Sequence, residues 1–165
     1  SRAAAGAMVL LSRRAQALME AAGYDGDFDA LCQQLHRYQA TLRTCFTLEN
    51  FDNLIKNGRM RPIVGTLLRS LGIHIIADAT AEGTIHVADK ARGVGKTYRA
   101  ITALMKASKD CTDAEVVISH CENLEGAMAL KRQILADLPV KQVDLLSCRG
   151  LTSFYAMEKG LIVGY

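Results

Sequence analysis

The stretch AEVVISHCENLEGAMALKRQILADLPVKQVDLLSC, residues 114–148, constrains the fold more than any other part of the chain. It opens on a short, nearly continuous apolar run (114–119), the pattern of a strand buried on both faces. Asn123 then stands where a helix cap is wanted, and Leu124, Ala127, Met128, Ile134 and Leu135 recur at helical spacing as the expected inward face. Pro139 marks the end of that helix, and QVDLLSC (142–148) reads as a second strand. Strand, helix and strand within about thirty residues make a parallel crossover, which is almost always right-handed.

Four further strands are expected around this unit: TCFTL (44–48), IHIIADA (73–79), TIHVA (84–88) and the apolar GLIVGY (160–165). Glu82-Gly83 joins the middle two as a hairpin-type turn. Residues 49–59 read as a short helix closed by the Asn57-Gly58 turn, and Pro62 suits the first position of a helix through RPIVGTLLRSLG. Tyr98, Ile101, Leu104 and Met105 lie on one face of another helix. The fold class is therefore α/β, a mixed sheet of about six strands with packed helices. At 165 residues, folding hides roughly 70% of the unfolded surface, so such a domain needs no staple.

Two helices precede the sheet. Met8, Leu11, Ala15, Leu18 and Ala22 form one apolar stripe stopped by Gly23; Phe28, Leu31, Leu35, Tyr38 and Leu42 form another from an Asp27 cap. Two helices with one stripe each cannot cover both by themselves. Residues 1–43 are thus expected to be a helical segment left from an upstream domain, and 44–165 the α/β domain. The opening SRAAAG, without a Met, fits that expectation. The same stripes predict that two copies could pair, a dimer driven by truncation.

A net charge of +3, with no Lys/Arg block and no aromatic platform, argues against nucleic acid as a partner. The five cysteines are scattered, odd in number and never spaced as CxxC, and no 18-residue apolar run exists. Reduced thiols in a cytoplasmic protein without a membrane span is the plain expectation.

ARGVGKTY (91–98) looks like a nucleotide phosphate loop. Such a loop needs a first glycine five residues before Gly95, to make the turn that aims N–H groups at phosphates. Lys90 stands there, so the spacing fails. What remains is a basic loop of Lys90, Arg92 and Lys96, either a solvated turn or a docking surface for an anion or a partner. His120, Cys121 and Cys148 could be drawn as a zinc or Cys/His constellation, but neighbours on a strand point to opposite faces, and buried thiols are the plainer reading. Asp25, Asp27 and Asp29 lack the glycine and closing Glu of a calcium loop. Arg59 and Arg61 follow the Gly58 turn and read either as a surface pair or as an anion-attracting corner, while CRGLTSFYA (148–156) gathers Arg149, Ser153 and Tyr155 after a strand end, where binding residues collect.

The order of these motifs resembles the DegV family over nearly the whole chain. Gly58-Arg59-Met60 is similar to that family's Gly-Gly-Arg-Ile turn, with Asn57 in place of the first glycine; Gly83-Thr84-Ile85 matches its hairpin, Lys90-Ala91-Arg92-Gly93 its basic loop, and ISHCENLEGA (118–127) its strand-helix junction. The resemblance implies a two-domain α/β carrier that holds one long-chain fatty acid between its domains and presents it to a fatty-acid kinase, without catalysis or cofactor of its own. It also implies that the carboxylate-binding Thr and Ser residues lie in the first domain. The family's C-terminal His-x-Gly-Pro-Gly is missing; FYAMEKG stands in its place, with Tyr155 or Ala156 nearest the His position. Arg59, Arg92, Arg149, Ser153 and Tyr155 are accordingly the candidate ligand-binding or partner-docking residues, with no metal site. The rival readings are a nucleotide-dependent transferase using Lys96 of the 91–98 loop, and a protein-interaction module.

Overall fold

The computed structural model describes residues 4–23, 26–60, 72–80 and 84–165. In chain order the elements are α1 (Gly6–Ala21), α2 (Phe28–Thr41), β1 (Thr44–Leu48), α3 (Asp52–Lys56), β2 (Ile73–Ala79), β3 (Ile85–Arg92), α4 (Val94–Ser108), β4 (Glu115–His120), α5 (Leu124–Asp137), β5 (Gln142–Ser147), α6 (Leu151–Ala156) and β6 (Leu161–Gly164). The six strands form one mixed sheet in the order β3-β2-β1-β6-β4-β5. Only β4 and β5 run parallel, joined by the α5 crossover expected from the sequence; the other neighbours are antiparallel.

The local chemistry explains where the elements start and stop. The Asp27 carboxylate accepts from the backbone N–H of Asp29 (2.9 Å) and Ala30 (3.3 Å) and so caps α2. The Asn123 side chain accepts from the Gly126 N–H (3.1 Å) and donates to the Lys159 carbonyl (2.8 Å), capping α5 and tying it to the turn before β6. β3 runs four residues past the expected TIHVA, because Asp89 to Arg92 continue to pair with β2 beyond a bulge at Ile76/Ala77. Three of those four residues are charged, and their side-chain pattern conceals the extension. The Glu82-Gly83 turn and the helix expected from Pro62 lie outside the described residues.

One face of the sheet carries α4 and α5. Ile101, Met105, Leu130 and Ile134 are fully buried there against Ile76, Val116, Ile118 and Val163, and each such side chain removed from water contributes about 1.5–3 kcal/mol. The Tyr165 hydroxyl shares a 2.7 Å hydrogen bond with that of Ser108 in the same core. The inward face of α5 is Ala127, Leu130 and Ile134; Leu124, Met128 and Leu135, expected inward, are exposed. The apolar residues of α5 fill two adjacent rows, and only one row can meet the sheet.

On the opposite face, Phe46, Leu48, Ile75 and Ala77 of β1 and β2 pack with Phe51 and Leu54 of the α3 region and Ala156 of α6. The start of α1 lies on β4 and β6. It comes so close that a Cβ at Gly164 would stand 2.1 Å from the Ala7 nitrogen, and one at Gly6 would stand 2.4 Å from the Val117 carbonyl oxygen. Ala7 and Leu10 are buried in that contact, and Arg13 reaches the Asp144 carboxylate of β5 at 2.6 Å. By contrast, α2 buries none of its residues and leaves Phe28 71% exposed. The Arg14 guanidinium of α1 lies 5.8 Å over the Tyr38 ring of α2.

Candidate functional site

The registers place Leu48, Ile73, Leu161, His120 and Ser147 together at one end of the sheet. This is the end where the parallel strands β4 and β5 finish, and in open α/β sheets ligands gather outside such carboxyl ends. The loops leaving it carry α3, the Arg59 corner and α6.

Arg59 follows Gly58, whose φ of +67° is the left-handed turn that ends α3. The Arg59 N–H donates to the Leu54 carbonyl at 2.8 Å, and its guanidinium lies 5.4 Å over the Tyr155 ring. Tyr155 sits on α6, half-buried, with the Phe154 ring edge-on at 5.0 Å. A second tie holds the two short helices together: the Asn53 amide of α3 donates to the Phe154 carbonyl at 2.7 Å. A guanidinium held over a ring by cation–π attraction does not spend its N–H donors on that contact. The corner can therefore offer the guanidinium's donor fork to an anion while the cation stays over the Tyr155 ring.

Of the other predicted residues, Ser153 is half-buried one turn before the end of α6, and Arg149 is exposed just ahead of that helix. Arg92 is exposed at the end of edge strand β3, opposite Ile73. The structure thus joins Arg59 to Tyr155, sets Ser153 and Arg149 on or beside the same helix, and leaves Arg92 on the edge strand.

The phosphate-loop look-alike has no loop to speak of. Arg92 ends β3 and Val94 begins α4, so Gly93 alone, at φ +86°, connects them. Four residues between two glycines cannot wrap a phosphate where one residue makes the whole turn. His120 is the last residue of β4, and its Nδ1 faces the Asn123 N–H at 3.4 Å. Cys121 and Cys148 belong to the apolar cluster on the other face. Burial, and then the neighbouring Cys121, push the Cys148 thiol up to about 11. Among the described residues, no group of three or more His, Cys, Asp or Glu could hold a metal ion, and no helix is long and apolar enough to cross a membrane.

Sequence reading overlooked Thr47. It looked like one more strand residue in TCFTL, yet it is 6% exposed and its hydroxyl has no hydrogen-bond partner among the described residues. The available signal was a hydroxyl between Phe46 and Leu48 in an otherwise apolar run.

Comparison with known proteins gives a consistent answer. The profile described as "Uncharacterised protein, DegV family" matches residues 1–161. A DegV domain-containing protein of Streptococcus gordonii is 32% identical over 139 residues, covering 84% of this chain and 49% of that protein. The crystal structure of the Streptococcus pneumoniae fatty acid kinase (Fak) B3 protein loaded with linoleic acid superimposes with a TM-score of 0.88 at 30% identity, over 99% of this chain and 57% of its own. A DegV-family protein of Ruminococcus gnavus, refined with vaccenic acid, gives 0.84 at 28% identity, over 95% of this chain and 55% of its own. The chain spans about half the length of the curated relatives it matches.

Proposed function

The chain belongs to the DegV family, and from that premise we propose that it forms one wall of a fatty-acid site and helps present the acyl chain to a kinase. The observation that carries this reading is the likeness, across 99% of the chain, to a fatty acid kinase B3 protein loaded with linoleic acid. The local chemistry is compatible with it. The apolar face built from Phe46, Leu48, Ile75 and Ala77, with Val87 and Ile162 packed beside them, offers wall for a hydrocarbon tail. The Arg59–Tyr155 corner stands at the edge of that wall with a fork suited to a carboxylate.

In this reading Arg59 holds the head group electrostatically and Tyr155 serves where the family's His is missing. Ser153 of α6 and Arg149 just ahead of that helix supply further polar contacts, and Arg92 faces the partner. The chain binds and presents; bond making belongs to the kinase. The reading includes a cytoplasmic location. Native mass spectrometry of gently purified protein tests it. The expected result is a mass increment of one long-chain fatty acid per chain, lost in Arg59→Ala with Tyr155→Leu. Protein that stays unliganded after incubation with linoleic acid overturns it.

A further inference from the structure

The two parallel strands end on a pair of thiols. The last register pair of β4 and β5 is His120 with Ser147, and the Cys148 N–H carries the ladder one step further by donating to the His120 carbonyl at 2.7 Å. The next residues in line are Cys121 and Cys148. Both are free, half-buried thiols, and both pack against the apolar face that holds Phe46, Leu48 and Ile75. We propose that Cys121 and Cys148 form a reversible redox site, which a small disulfide such as oxidised glutathione converts to an internal bridge that fastens the segment carrying α6.

Strand geometry supplies the first reason. Val116 and Ile118 of β4 and Val143 of β5 face α4 and α5, and side chains alternate along a strand. Cys121 and Cys148 therefore project together on the other face. Neighbouring strands run about 4.8 Å apart, inside the Cα separation of about 4.4–6.8 Å that a disulfide spans. Each cysteine lies just past its strand, where side-chain rotation disturbs no ladder hydrogen bond. What the bridge would hold supplies the second reason. Residues 149–158 carry α6 between two left-handed residues, Gly150 at φ +50° and Met157 at φ +53°. The far end of this segment is already bound to Cys121, whose N–H donates to the Gly160 carbonyl at 3.0 Å and whose carbonyl accepts from the Lys159 N–H at 2.8 Å. A Cys121–Cys148 bond ties the near end to the same residue, so α6 with Ser153 and Tyr155 hangs from one covalent anchor. As control of the Arg59–Tyr155 corner this rests on the acyl reading; the bridge itself does not.

The exchange balances. The Cys121 thiolate attacks glutathione disulfide and releases one glutathione. Cys148 then gives its proton to solvent and attacks the Cys121 sulfur, releasing the second. Two protein thiols are oxidised, and one disulfide is reduced to two glutathione thiols. Burial first, and Cys121 after it, push the Cys148 thiol up to about 11. That suits it to the second step, because such a thiol ionises seldom but is a strong nucleophile when it does. Cys45 and Cys111 are buried in the core on the other face, out of reach of glutathione. Transient bridges of this kind are the ones a reducing compartment permits.

Glutathione disulfide is the probe, and the full chain is kept free of lipid, so that failure to bridge is distinct from failure to bind fatty acid. Non-reducing peptide mapping by mass spectrometry should find Cys121 linked to Cys148, with Cys45 and Cys111 still thiols and the link undone by dithiothreitol. Cys148→Ser should stop at a glutathione adduct on Cys121. In the bridged protein, amide hydrogen exchange across 151–157 should slow by about tenfold or more, within the range a disulfide contributes. Glutathione adducts on Cys121 and Cys148 of the parent chain without a bridge overturn the proposal, as does a Cys121 that does not react. So does a bridge that leaves exchange across 151–157 unchanged. The mapping on the parent chain decides the outcome even where the variant folds poorly.

Discussion

Gly164→Ala should detach α1 from the sheet, and the structure sets the size of the effect. The added methyl would stand 2.1 Å from the Ala7 nitrogen, 2.4 Å from the Gly6 carbonyl carbon and 2.7 Å from the Ala7 Cα. All three are backbone atoms, so no rotamer change relieves the clash. Ordinary contact begins near 3.4 Å, and the difference of about 1.3 Å must come from a retreat of α1. That retreat opens the contact that buries Ala7 and Leu10, each 1% exposed. Overpacking costs about 1–3 kcal/mol, and full exposure of a leucine costs about 1.5–3 kcal/mol. Because the helix trades one cost for the other, the expected loss is about 2–3 kcal/mol. For a domain of this size that lowers Tm by about 4–12 °C. Urea denaturation followed by circular dichroism measures it. Gly6→Ala, which meets the Val117 carbonyl oxygen at 2.4 Å, should behave alike, and the double variant should cost less than the sum, because both act on one contact. A loss below about 0.5 kcal/mol, the range of ordinary surface changes, would refute the docking of α1 on β4 and β6.

Three other outcomes are expected. Asn123→Ala removes the cap of α5 and its tie to Lys159, and should cost about 1–2 kcal/mol in chemical denaturation. The Cys148 thiol, pushed from its ordinary 9.0 up to about 11, stays protonated in the folded chain after it ionises in the unfolded one; stability should hold below pH 9 and fall between pH 9 and 11, and Cys148→Ser should flatten part of that fall in a Tm-versus-pH series. Arg92→Glu should leave Tm within about 1 °C of the parent while weakening capture by a fatty-acid kinase in a pull-down; unchanged capture removes Arg92 from the partner surface.

Much of the fold was legible because the period of the apolar residues changes sharply along the chain. TCFTL and IHIIADA alternate or run apolar and became β1 and β2 with the expected bounds. The Asp27 and Asn123 caps and the crossover were likewise visible as local chemistry. Sheet order was not legible, since nothing in GLIVGY tells that it pairs with both TCFTL and AEVVIS. Burial on α5 was misjudged because two apolar rows compete for one sheet. The Arg59–Tyr155 cation–π contact joins residues nearly a hundred positions apart, so sequence could nominate both partners but not their contact. The close approach of α1 was not legible, because Gly6 and Gly164 stand at opposite ends of the chain and neither carries a local pattern that names the other.

The position of β6 has a consequence for how the polypeptide is made. It is the latest strand in chain order, yet it sits between β1 and β4. Leu48 closes β1, and Leu161 opens the strand that must pair with it, 113 residues later. At ribosomal speeds of about 5–20 residues per second, β1 waits roughly 6–23 s for that neighbour. Through that interval the nascent chain shows an unpaired edge containing Phe46, the kind of edge that recruits other chains. Slowing translation between β5 and β6 should therefore raise the insoluble yield, and a holdase chaperone should recover it.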